Sequence, residues 1–445
     1  MPFGRFFDRG NKGRATDAPP PSASDEDESS AVDESESEVE VEVEADHADW
    51  RERAQLVLPT GASTGSKRVE ALYGGADAIG PTHFAQAVGC RVTDMDGNEY
   101  LDCTMALGSV ALGYAEPNVT RAVVDAIAAG HVAALSSFRE VDVAERLCGI
   151  IPCADRVQFL KTGAEAMAAA VRLARTYTAR DVVVGSGYFG WLDWSADEAL
   201  GVPSATKALF RRVAYDDVSA LESAVTDAGS NLAAIVIEPV VERLPSKEWI
   251  TRARDLATSA GAVLIFDEIK TGFRLRTGGY QQYADVVPDL AAFGKAMANG
   301  YPLSAVVGDR DIMDAAKRTW ISSTLASEGA SLAAAQTVLA WHDQADVCDS
   351  LWTIGAEMRR AISSAIEASG VEGITVDGID PMWMLRWDAP ARERRFLELA
   401  AAHGVLFKRG AYNYPALAHD EEAIRAIEAG ASDALVELRD EEAGK

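Results

Sequence analysis

Paired cysteines, lysine and net positive charge are all scarce in this chain of 445 residues. The five cysteines are scattered and form no C-x-x-C pair, so the sequence predicts neither a disulfide framework nor a zinc site. The net charge of −27 argues against binding to nucleic acid or to an anionic membrane surface, because both need clustered lysine and arginine. We attribute the acidity to the need for solubility, with adaptation to a high-salt cytoplasm as an open alternative.

Long apolar runs and several familiar motifs are also absent. No window is long and uncharged enough to span a bilayer, and the basic N-terminus is not followed by the apolar segment of a secretory signal. The chain has no Walker A motif, no H-E-x-x-H motif and no histidines at metal-ligand spacing. These absences predict a cytoplasmic protein that binds small molecules and holds no metal.

Residues 1–50 differ in composition from the rest of the chain. Prolines precede an acidic run of Ser, Glu and Asp, and such a segment buries too little apolar area to offset its ordering entropy. We therefore predict a disordered acidic tail. Valines alternate with glutamates over 38–44, so strand addition to a partner is an alternative, but a solvated tail is favoured.

Regular patterns begin near residue 83. Asp96-Gly97 separates two apolar runs and predicts a β-hairpin. From about 155 to 310, short apolar runs alternate with helical stretches, which is typical of a parallel sheet with helices on both faces. We predict an N-terminal segment that belongs to the small domain (51–105), a large domain (106–344) and a C-terminal small domain (345–445).

Lys295 is the most informative of only ten lysines. It follows the apolar run 290–293 and a glycine, where a primary amine can form a Schiff base if burial or a nearby cation lowers its pKa. Asp267 closes another apolar run 28 residues earlier, and a carboxylate there can hold a protonated ring nitrogen. Pyridoxal phosphate needs this pairing of a lysine at its aldehyde and an acid at its pyridinium. An aspartate bonded to a fixed cation is expected to have a lowered pKa.

A second motif stands at the start of a predicted helix. Thr162 followed by Glu165 is a capping box, which makes Thr162 the expected N-cap. Gly163 and Ala164 leave their backbone N–H groups unobstructed at the positive helix end, where a phosphate can bind. Alone, the motif favours an ordinary capped helix; together with the lysine and the aspartate it favours a phosphate.

Other candidates are less specific. Tyr188 lies in a glycine-flanked loop and can lie flat on a planar ring, with a core aromatic as an equal alternative. Ile269 points to the same face as Asp267 and can pack on the ring opposite Tyr188. Glu238 at a strand end ranks low, because it fits a solvated loop charge equally well. Hydroxyl groups over 322–327 either cap a helix or add donors to a phosphate.

Together these motifs resemble the class III aminotransferases, which are fold type I pyridoxal-phosphate enzymes, and in particular the subgroup of glutamate-1-semialdehyde 2,1-aminomutase. The resemblance covers about residues 57–440. Its most specific blocks are Asp-Glu-Ile-x-Thr-Gly-Phe-Arg at 267–274 and Leu-x-x-x-Gly-Lys at 290–295. It implies an α/β fold with a mostly parallel seven-stranded sheet, helices on both faces and a smaller α+β C-terminal domain.

The resemblance also assigns roles to residues. It implies that Lys295 forms a Schiff base with pyridoxal 5′-phosphate and that Asp267 binds the pyridine nitrogen. Thr324 is implied to complete the phosphate site of a neighbouring subunit, so a homodimer with sites at the subunit interface is expected. The other implied cofactor contacts are Tyr188 and Ile269 on the two ring faces, and Gly163 and Ala164 at the phosphate.

Three departures from the aminomutase pattern concern the substrate. Lys67 or Arg68 stands where the mutase has an arginine for the substrate carboxylate, and a bidentate clamp needs the arginine. Residues 106–109 replace a Ser-Trp pair, and Ala411 lies near the place of an acidic residue. We predict amino-group transfer between an amine and a keto acid or aldehyde. The alternatives are glutamate-1-semialdehyde 2,1-aminomutase in tetrapyrrole synthesis, or a non-catalytic scaffold that binds a partner.

Overall fold

The computed structural model describes residues 50–444, so nearly all of the predicted acidic tail lies outside the described residues. In this range no helix has the length and apolar character needed to cross a bilayer. The strands are β1 (Phe84–Val88), β2 (Arg91–Asp94), β3 (Glu99–Asp102), β4 (Arg156–Leu160), β5 (Val182–Ser186), β6 (Phe210–Arg212), β7 (Leu232–Ile237), β8 (Val263–Asp267), β9 (Leu290–Phe293), β10 (Ser304–Gly308), β11 (Ile374–Ile379), β12 (Met382–Trp387) and β13 (Val405–Leu406).

Helices occupy much of the remaining described chain, and four short 3₁₀ helices (Gly65–Lys67, Gly229–Asn231, Lys295–Ala298, Asp314–Arg318) join them. The helices are α1 (Trp50–Val57), α2 (Val69–Tyr73), α3 (Met105–Gly108), α4 (Pro117–Ala128), α5 (Phe138–Ile150), α6 (Gly163–Thr178), α7 (Ser204–Lys207), α8 (Val218–Ala228), α9 (Lys247–Ala260), α10 (Tyr280–Ala284), α11 (Arg310–Met313), α12 (Gly329–Gln344), α13 (Val347–Ser369), α14 (Pro390–Ala402) and α15 (Glu421–Ala443).

A seven-stranded sheet forms the centre of the fold, in the order β4-β10-β9-β8-β7-β5-β6. The five strands from β9 to β6 run parallel, whereas β10 is antiparallel to both of its neighbours. Alternate residues of β5, β7, β8, β9 and β10 enter two separate apolar clusters, with α6 on one face and α8 and α9 on the other. The mostly parallel sheet with helices on both faces is therefore confirmed, and it leaves the strand ends free to carry polar side chains.

A second sheet combines distant parts of the chain in the order β1-β2-β3-β13. The predicted hairpin is confirmed between β2 and β3, where Asp94 Oδ1 accepts hydrogen bonds from the backbone N–H groups of Asp96 and Asn98, both at 2.9 Å. Gly97 adopts a φ of +85°, which the turn requires and glycine permits. β13 pairs in parallel with β3, so the C-terminal region packs on the N-terminal segment.

A fully buried arginine links the sheet edge to these outer segments. Arg274 donates hydrogen bonds to the backbone carbonyls of Pro415 at 2.9 Å and Gly108 at 3.1 Å. Its guanidinium also lies 5.0 Å from the ring centroid of Tyr414. Burial lowers the pKa of Arg274 to about 10. The residue therefore fixes the loop after β8 against the C-terminal region and so helps to position the site described below.

Candidate active site

The carboxyl ends of the parallel strands open into a cavity of about 450 Å³. β7 and β8 end at this edge, and Lys295 follows β9 there, so residues far apart in sequence meet at one place. Open α/β sheets bind their ligands at such edges. Six of the residues predicted to bind the cofactor line this cavity: Gly163, Ala164, Tyr188, Asp267, Ile269 and Lys295.

Lys295 enters the cavity from a strained position of the backbone. Its φ is +47°, a left-handed value that is costly for a residue with a side chain. The side chain opens into the cavity, but the surrounding protein removes most of its water. This desolvation, followed by the charge of Lys270, lowers the pKa of Lys295 to about 8, against the opposing effects of Asp267 and Glu238.

Two further lysines line the same cavity, but each forms an ion pair with a carboxylate. Lys161 Nζ lies 2.6 Å from Glu328 Oε1, and Lys270 Nζ lies 2.7 Å from Glu238 Oε1. Lys295 forms no ion pair or side-chain hydrogen bond with any residue in the range 50–444. Of the three amines, Lys295 is the one that can be present in its neutral, nucleophilic form near neutral pH.

Asp267 lies at the end of β8 and is only 6% exposed. Its Oδ1 accepts a hydrogen bond from the backbone N–H of Ile269 at 3.0 Å, and among the described residues no donor reaches Oδ2. Burial, followed by repulsion from Glu238, raises the pKa of Asp267 to about 7. The lowered pKa expected from the sequence concerns an aspartate bonded to a fixed cation, and it stays a prediction for the protein with its cofactor bound. A buried carboxylate with one unpartnered oxygen fits a ligand that brings its own positive charge, as a protonated pyridine does.

The N-terminus of α6 forms another wall of the cavity. The predicted capping box is present, because Glu165 N–H donates to Thr162 Oγ1 at 3.2 Å and Thr162 N–H donates to Glu165 Oε2 at 2.9 Å. The N–H groups of Gly163 and Ala164 are left without acceptors inside the helix. They lie at the positive end of a 16-residue helix, which suits a phosphate.

Two of the lining side chains are of the kinds that pack on the faces of a flat ring. Ile269 packs against two glycines, since a Cβ on Gly163 or Gly294 would lie 3.2 or 3.1 Å from its side chain. Tyr188 lines the cavity with 72% of its surface exposed, and its backbone N–H is fixed by Glu238 Oε2 at 2.9 Å. An apolar side chain and an aromatic side chain are thus available for the two faces of a planar cofactor.

The two candidates for substrate binding separate in the structure. Lys67 lines an adjoining cavity of about 590 Å³, which also contains Lys295. Arg68 lines other cavities that do not reach Lys295. Thr324 is exposed and does not line the cavity of its own chain, so within one chain it is not brought together with the other predicted residues.

Sequence reasoning missed part of the site and gave no weight to two spacings. Glu238 ranked low, yet it follows β7 and lines the cavity beside Lys270; the signal was its place at the end of a strand that neighbours β8.

Two glycine spacings that occur in other enzyme classes are also present: residues 185–190 have the spacing G-x-G-x-x-G, and residues 61–65 have the spacing G-x-S-x-G. The first leads into a loop and not a helix, and the second lies in a loop with no preceding strand, so neither forms the structure on which its chemistry depends.

Comparison with known proteins identifies the family. A sequence profile described as aminotransferase class III matches residues 76–187 and 202–429. The chain belongs to the class III aminotransferases. It is 33% identical to the 2′-deamino-2′-hydroxyneamine transaminase of Streptomyces kanamyceticus, over 81% of this chain and 91% of that protein. It is 29% identical to a glutamate-1-semialdehyde 2,1-aminomutase of Methanosarcina acetivorans, over 84% of this chain and 94% of that protein.

The fold agrees with the same family. The solved PLP internal aldimine form of the FumI protein from Sphingopyxis sp. MTA144 superimposes with a TM-score of 0.83 and 25% identity, covering 89% of this chain and 97% of that one. The predicted family, fold class and enzyme class are therefore confirmed. The cofactor of this class III aminotransferase is pyridoxal 5′-phosphate, and an amine, a buried carboxylate and a helix N-terminus in one cavity fit that cofactor.

Proposed function

We propose that this class III aminotransferase exchanges an amino group between an amine and a keto acid or aldehyde, with Lys295 as its nucleophile and proton carrier. One observation carries the proposal: three lysines line the cavity, and Lys295 alone among them lacks a carboxylate partner within residues 50–444. An amine that is neutral near neutral pH can attack a carbonyl and can then accept and return a proton at Nζ.

The other residues hold the cofactor in place for that proton transfer. Pyridoxal phosphate supplies a conjugated ring that withdraws electrons from the substrate carbon. Asp267 keeps the ring nitrogen protonated, which maintains this withdrawal, and its one side-chain hydrogen bond to the described residues leaves Oδ2 available. The remaining assignments are Gly163 and Ala164 at the phosphate, and Tyr188 and Ile269 on the ring faces.

For the substrate we propose Lys67 rather than Arg68 as the cation that receives an acidic group. Lys67 shares a cavity with Lys295, whereas Arg68 does not. A lysine ammonium is a point charge and does not grip a carboxylate with the two parallel bonds of an arginine. This difference supports an aminotransferase over the aminomutase, whose pattern has an arginine at this place.

The number of substrates distinguishes the two reactions. With a single amino donor, a transaminase is expected to stop after one turnover per site, because its cofactor retains the amino group; adding a keto acid or aldehyde then restores turnover. The measurement is product formed per site with and without the second substrate, over a panel of amines and with glutamate-1-semialdehyde. Continuous turnover of glutamate-1-semialdehyde alone would establish the aminomutase instead.

We further propose a homodimer in which Thr324 serves the cavity of the second copy. The support is a group of exposed apolar side chains close to Thr324. The segment after α4 contacts the start of α12, because Gly329 N–H donates to the carbonyl of His131 at 2.8 Å. Exposed apolar residues lie after α4 (Val132, Leu135), at the start of α5 (Phe138) and in the segment before α12 that contains Thr324 (Trp320, Leu325).

Subunit mixing tests the shared site. Lys295→Ala and Thr324→Asp are each expected to inactivate the protein, the second by repelling the phosphate. A mixture that exchanges subunits is expected to recover activity at about one site in four, since a hybrid dimer holds one cavity with both residues intact. The measurement is activity before and after exchange, with molecular mass from sedimentation. A mixture that stays inactive while hybrids form would place Thr324 outside the partner's site.

The predicted domain boundaries and the cytoplasmic location of the protein are also proposals. Every residue that lines the cavity of about 450 Å³ lies within 106–344, which supports this range as the cofactor-binding domain. Pairing of β3 with β13 supports joining 51–105 and 345–445 in the smaller domain. All five cysteines are free, which is consistent with a reducing cytoplasm.

A further inference from the structure

A buried ion pair next to Lys295 is not explained by the roles proposed above. Lys270 lies three residues after Asp267 and its side chain is only 9% exposed; Glu238 follows β7 and its side chain is 13% exposed. Both line the cavity that contains Lys295. Taking two charges out of water is costly, so a pair that contributes only to stability is often no better than apolar side chains of the same size. A role in the chemistry accounts for the position of this pair.

Three separate parts of the chain hold the pair in one geometry. Lys270 Nζ lies 2.7 Å from Glu238 Oε1 and 4.3 Å from the centroid of the Tyr412 ring. The phenol oxygen of Tyr412 accepts a hydrogen bond from the backbone N–H of Glu242 at 2.6 Å. Glu238 also accepts from the Tyr188 N–H at 2.9 Å. The cation of Lys270 therefore has a fixed position relative to the cavity.

We propose that Lys270 is a positioning residue: its fixed positive charge keeps the amine of Lys295 in the neutral form, while Glu238 keeps Lys270 protonated so that it does not compete as a nucleophile. The proposal rests on the assignment of Lys295 as the reactive amine. It adds that the cavity holds Lys270 in the protonated form and Lys295 in the neutral form.

The four largest charge effects on Lys295 come from Lys270, Asp267, Glu238 and Arg274. Besides desolvation, which is the largest effect, Lys270 and Arg274 lower the pKa of Lys295. Asp267 and Glu238 act in the opposite direction, and the net pKa is about 8. The charge of Lys270 changes the pKa of Lys295 more than the charge of Asp267, Glu238 or Arg274 does. A neighbouring cation is a recognised way to activate a lysine.

The charges that act on Lys270 raise its pKa, whereas the pKa of Lys295 is lowered. Burial is the largest single effect and lowers the pKa of Lys270, but the charge and hydrogen bond of Glu238 together with Tyr412 and Tyr414 outweigh it, so the net pKa is raised. Lys270 thus keeps its proton over the range in which Lys295 loses its own. An ammonium has no lone pair to attack a carbonyl, so two lysines in one cavity do not compete.

The first test measures the reactivity of each lysine in the cofactor-free protein. Trace labelling with acetic anhydride over a pH series, followed by peptide mass spectrometry, gives a titration midpoint for every lysine. Lys270→Gln removes the charge and keeps a hydrogen-bond donor to Glu238. It is expected to raise the midpoint of Lys295 by about one pH unit or more, whereas Lys270→Arg, which retains the charge, leaves it nearly unchanged.

Lys161→Gln is the matched control. Lys161 is also paired with a glutamate and lines the same cavity, but it is not among the four residues whose charges act most strongly on Lys295. Its removal is expected to leave the midpoint of Lys295 in place. An equal shift in Lys161→Gln and Lys270→Gln, or no shift in Lys270→Gln when its melting temperature is unchanged, would overturn the role of Lys270.

Glu238→Gln tests the second part of the proposal. Without the carboxylate, the labelling midpoint of Lys270 is expected to fall by about one pH unit or more, and Lys270 becomes reactive together with Lys295. An unchanged midpoint of Lys270 in this variant contradicts that part. If a variant fails to fold, the double variant Lys270→Gln with Glu238→Gln retains a neutral hydrogen-bonded pair. Its Lys295 midpoint is expected to rise above that of the unaltered protein, because Lys270 acts on Lys295 more strongly than Glu238 does, and an unchanged or lower midpoint contradicts the role of Lys270.

A third measurement separates this inference from the proposed function. Borohydride reduction of the cofactor-loaded protein, followed by peptide mapping, shows which lysine carries the cofactor. If Lys295 carries the cofactor in every Lys270 variant while the labelling midpoint of Lys295 does not move, the assignment of Lys295 stands and the role of Lys270 fails. If it is another lysine in the unaltered protein, the proposed function itself is wrong.

Discussion

Replacement of Lys295 by alanine is expected to abolish turnover and to prevent borohydride from fixing pyridoxal phosphate to the protein. The change removes the neutral amine of the cavity, and with it the general acid and base, which alone accounts for a loss of about 10²–10⁴-fold. Lys295 has no ion pair within the described residues, so its removal leaves no buried carboxylate without a partner. The measurements are the steady-state rate, the visible spectrum and the mass of peptides after reduction.

Two comparisons make the Lys295 result specific. Lys317→Ala removes an exposed lysine that pairs with Asp314 at 2.9 Å, and it is expected to retain both activity and covalent trapping. A small added amine such as methylamine is expected to restore part of the rate of Lys295→Ala, because it replaces the lost proton carrier. Covalent trapping that persisted in Lys295→Ala would transfer the role to Lys161 or Lys270.

Asp267→Asn is expected to lower kcat on the order of 10²-fold or more while the protein still holds its cofactor. Asparagine keeps the size of the side chain and an oxygen for the Ile269 N–H, but it removes the negative charge that keeps the pyridine nitrogen protonated. The ring then withdraws electrons less strongly from the substrate carbon. The checks are kcat, the dissociation constant of pyridoxal phosphate and the absorbance spectrum. Unchanged kcat would remove Asp267 from its proposed role.

The affinity for the cofactor is expected to depend on pH through the same residue. Burial, followed by the charge of Glu238, raises the pKa of Asp267 to about 7 in the protein by itself. Below about pH 7 a growing fraction of Asp267 is neutral and cannot pair with a pyridinium, so affinity should fall as the pH falls. Asp267→Asn should lose this dependence.

Glu268→Gln serves as the control for the aspartate. Glu268 is also fully buried, but it accepts hydrogen bonds from the backbone N–H groups of Tyr280 at 2.8 Å and Gln281 at 3.0 Å and from the Thr271 hydroxyl. It does not line the cavity. Its change is expected to lower the melting temperature and to leave the spectrum of bound cofactor unaltered. The contrast separates a structural acid from one that acts on the cofactor.

Much of the fold could be predicted because its signals are local. The buried strands of the large sheet are short apolar runs, and the Asp96-Gly97 turn and the Thr162 capping box are determined by a few neighbouring residues. The ends of adjacent parallel strands meet at one edge, so placing Asp267 and Lys295 after such runs was enough to predict that they line one cavity.

The electrostatics of the site could not be predicted in the same way. The expected lowered pKa of Asp267 assumed a cation beside it, and the structure shows that burial and Glu238 dominate in the protein by itself. Glu238 ranked low because nothing in its own sequence neighbourhood distinguishes it from a loop charge. Its partner Lys270 is 32 residues away along the chain, and the ring that covers Lys270 belongs to Tyr412 near the C-terminus.

The sequence by itself determined the family, the cofactor and the parallel sheet, and it singled out Lys295 and Asp267 as the proposed reactive lysine and its acid, because each depends on short patterns of residue types. Only the tertiary structure decided that Lys67 and not Arg68 shares a cavity with Lys295. It also decided that two of the three cavity lysines form ion pairs with glutamates. Such distinctions depend on which distant side chains come within a few ångströms and how much water they exclude, since burial and neighbouring charges set the pKa of an amine.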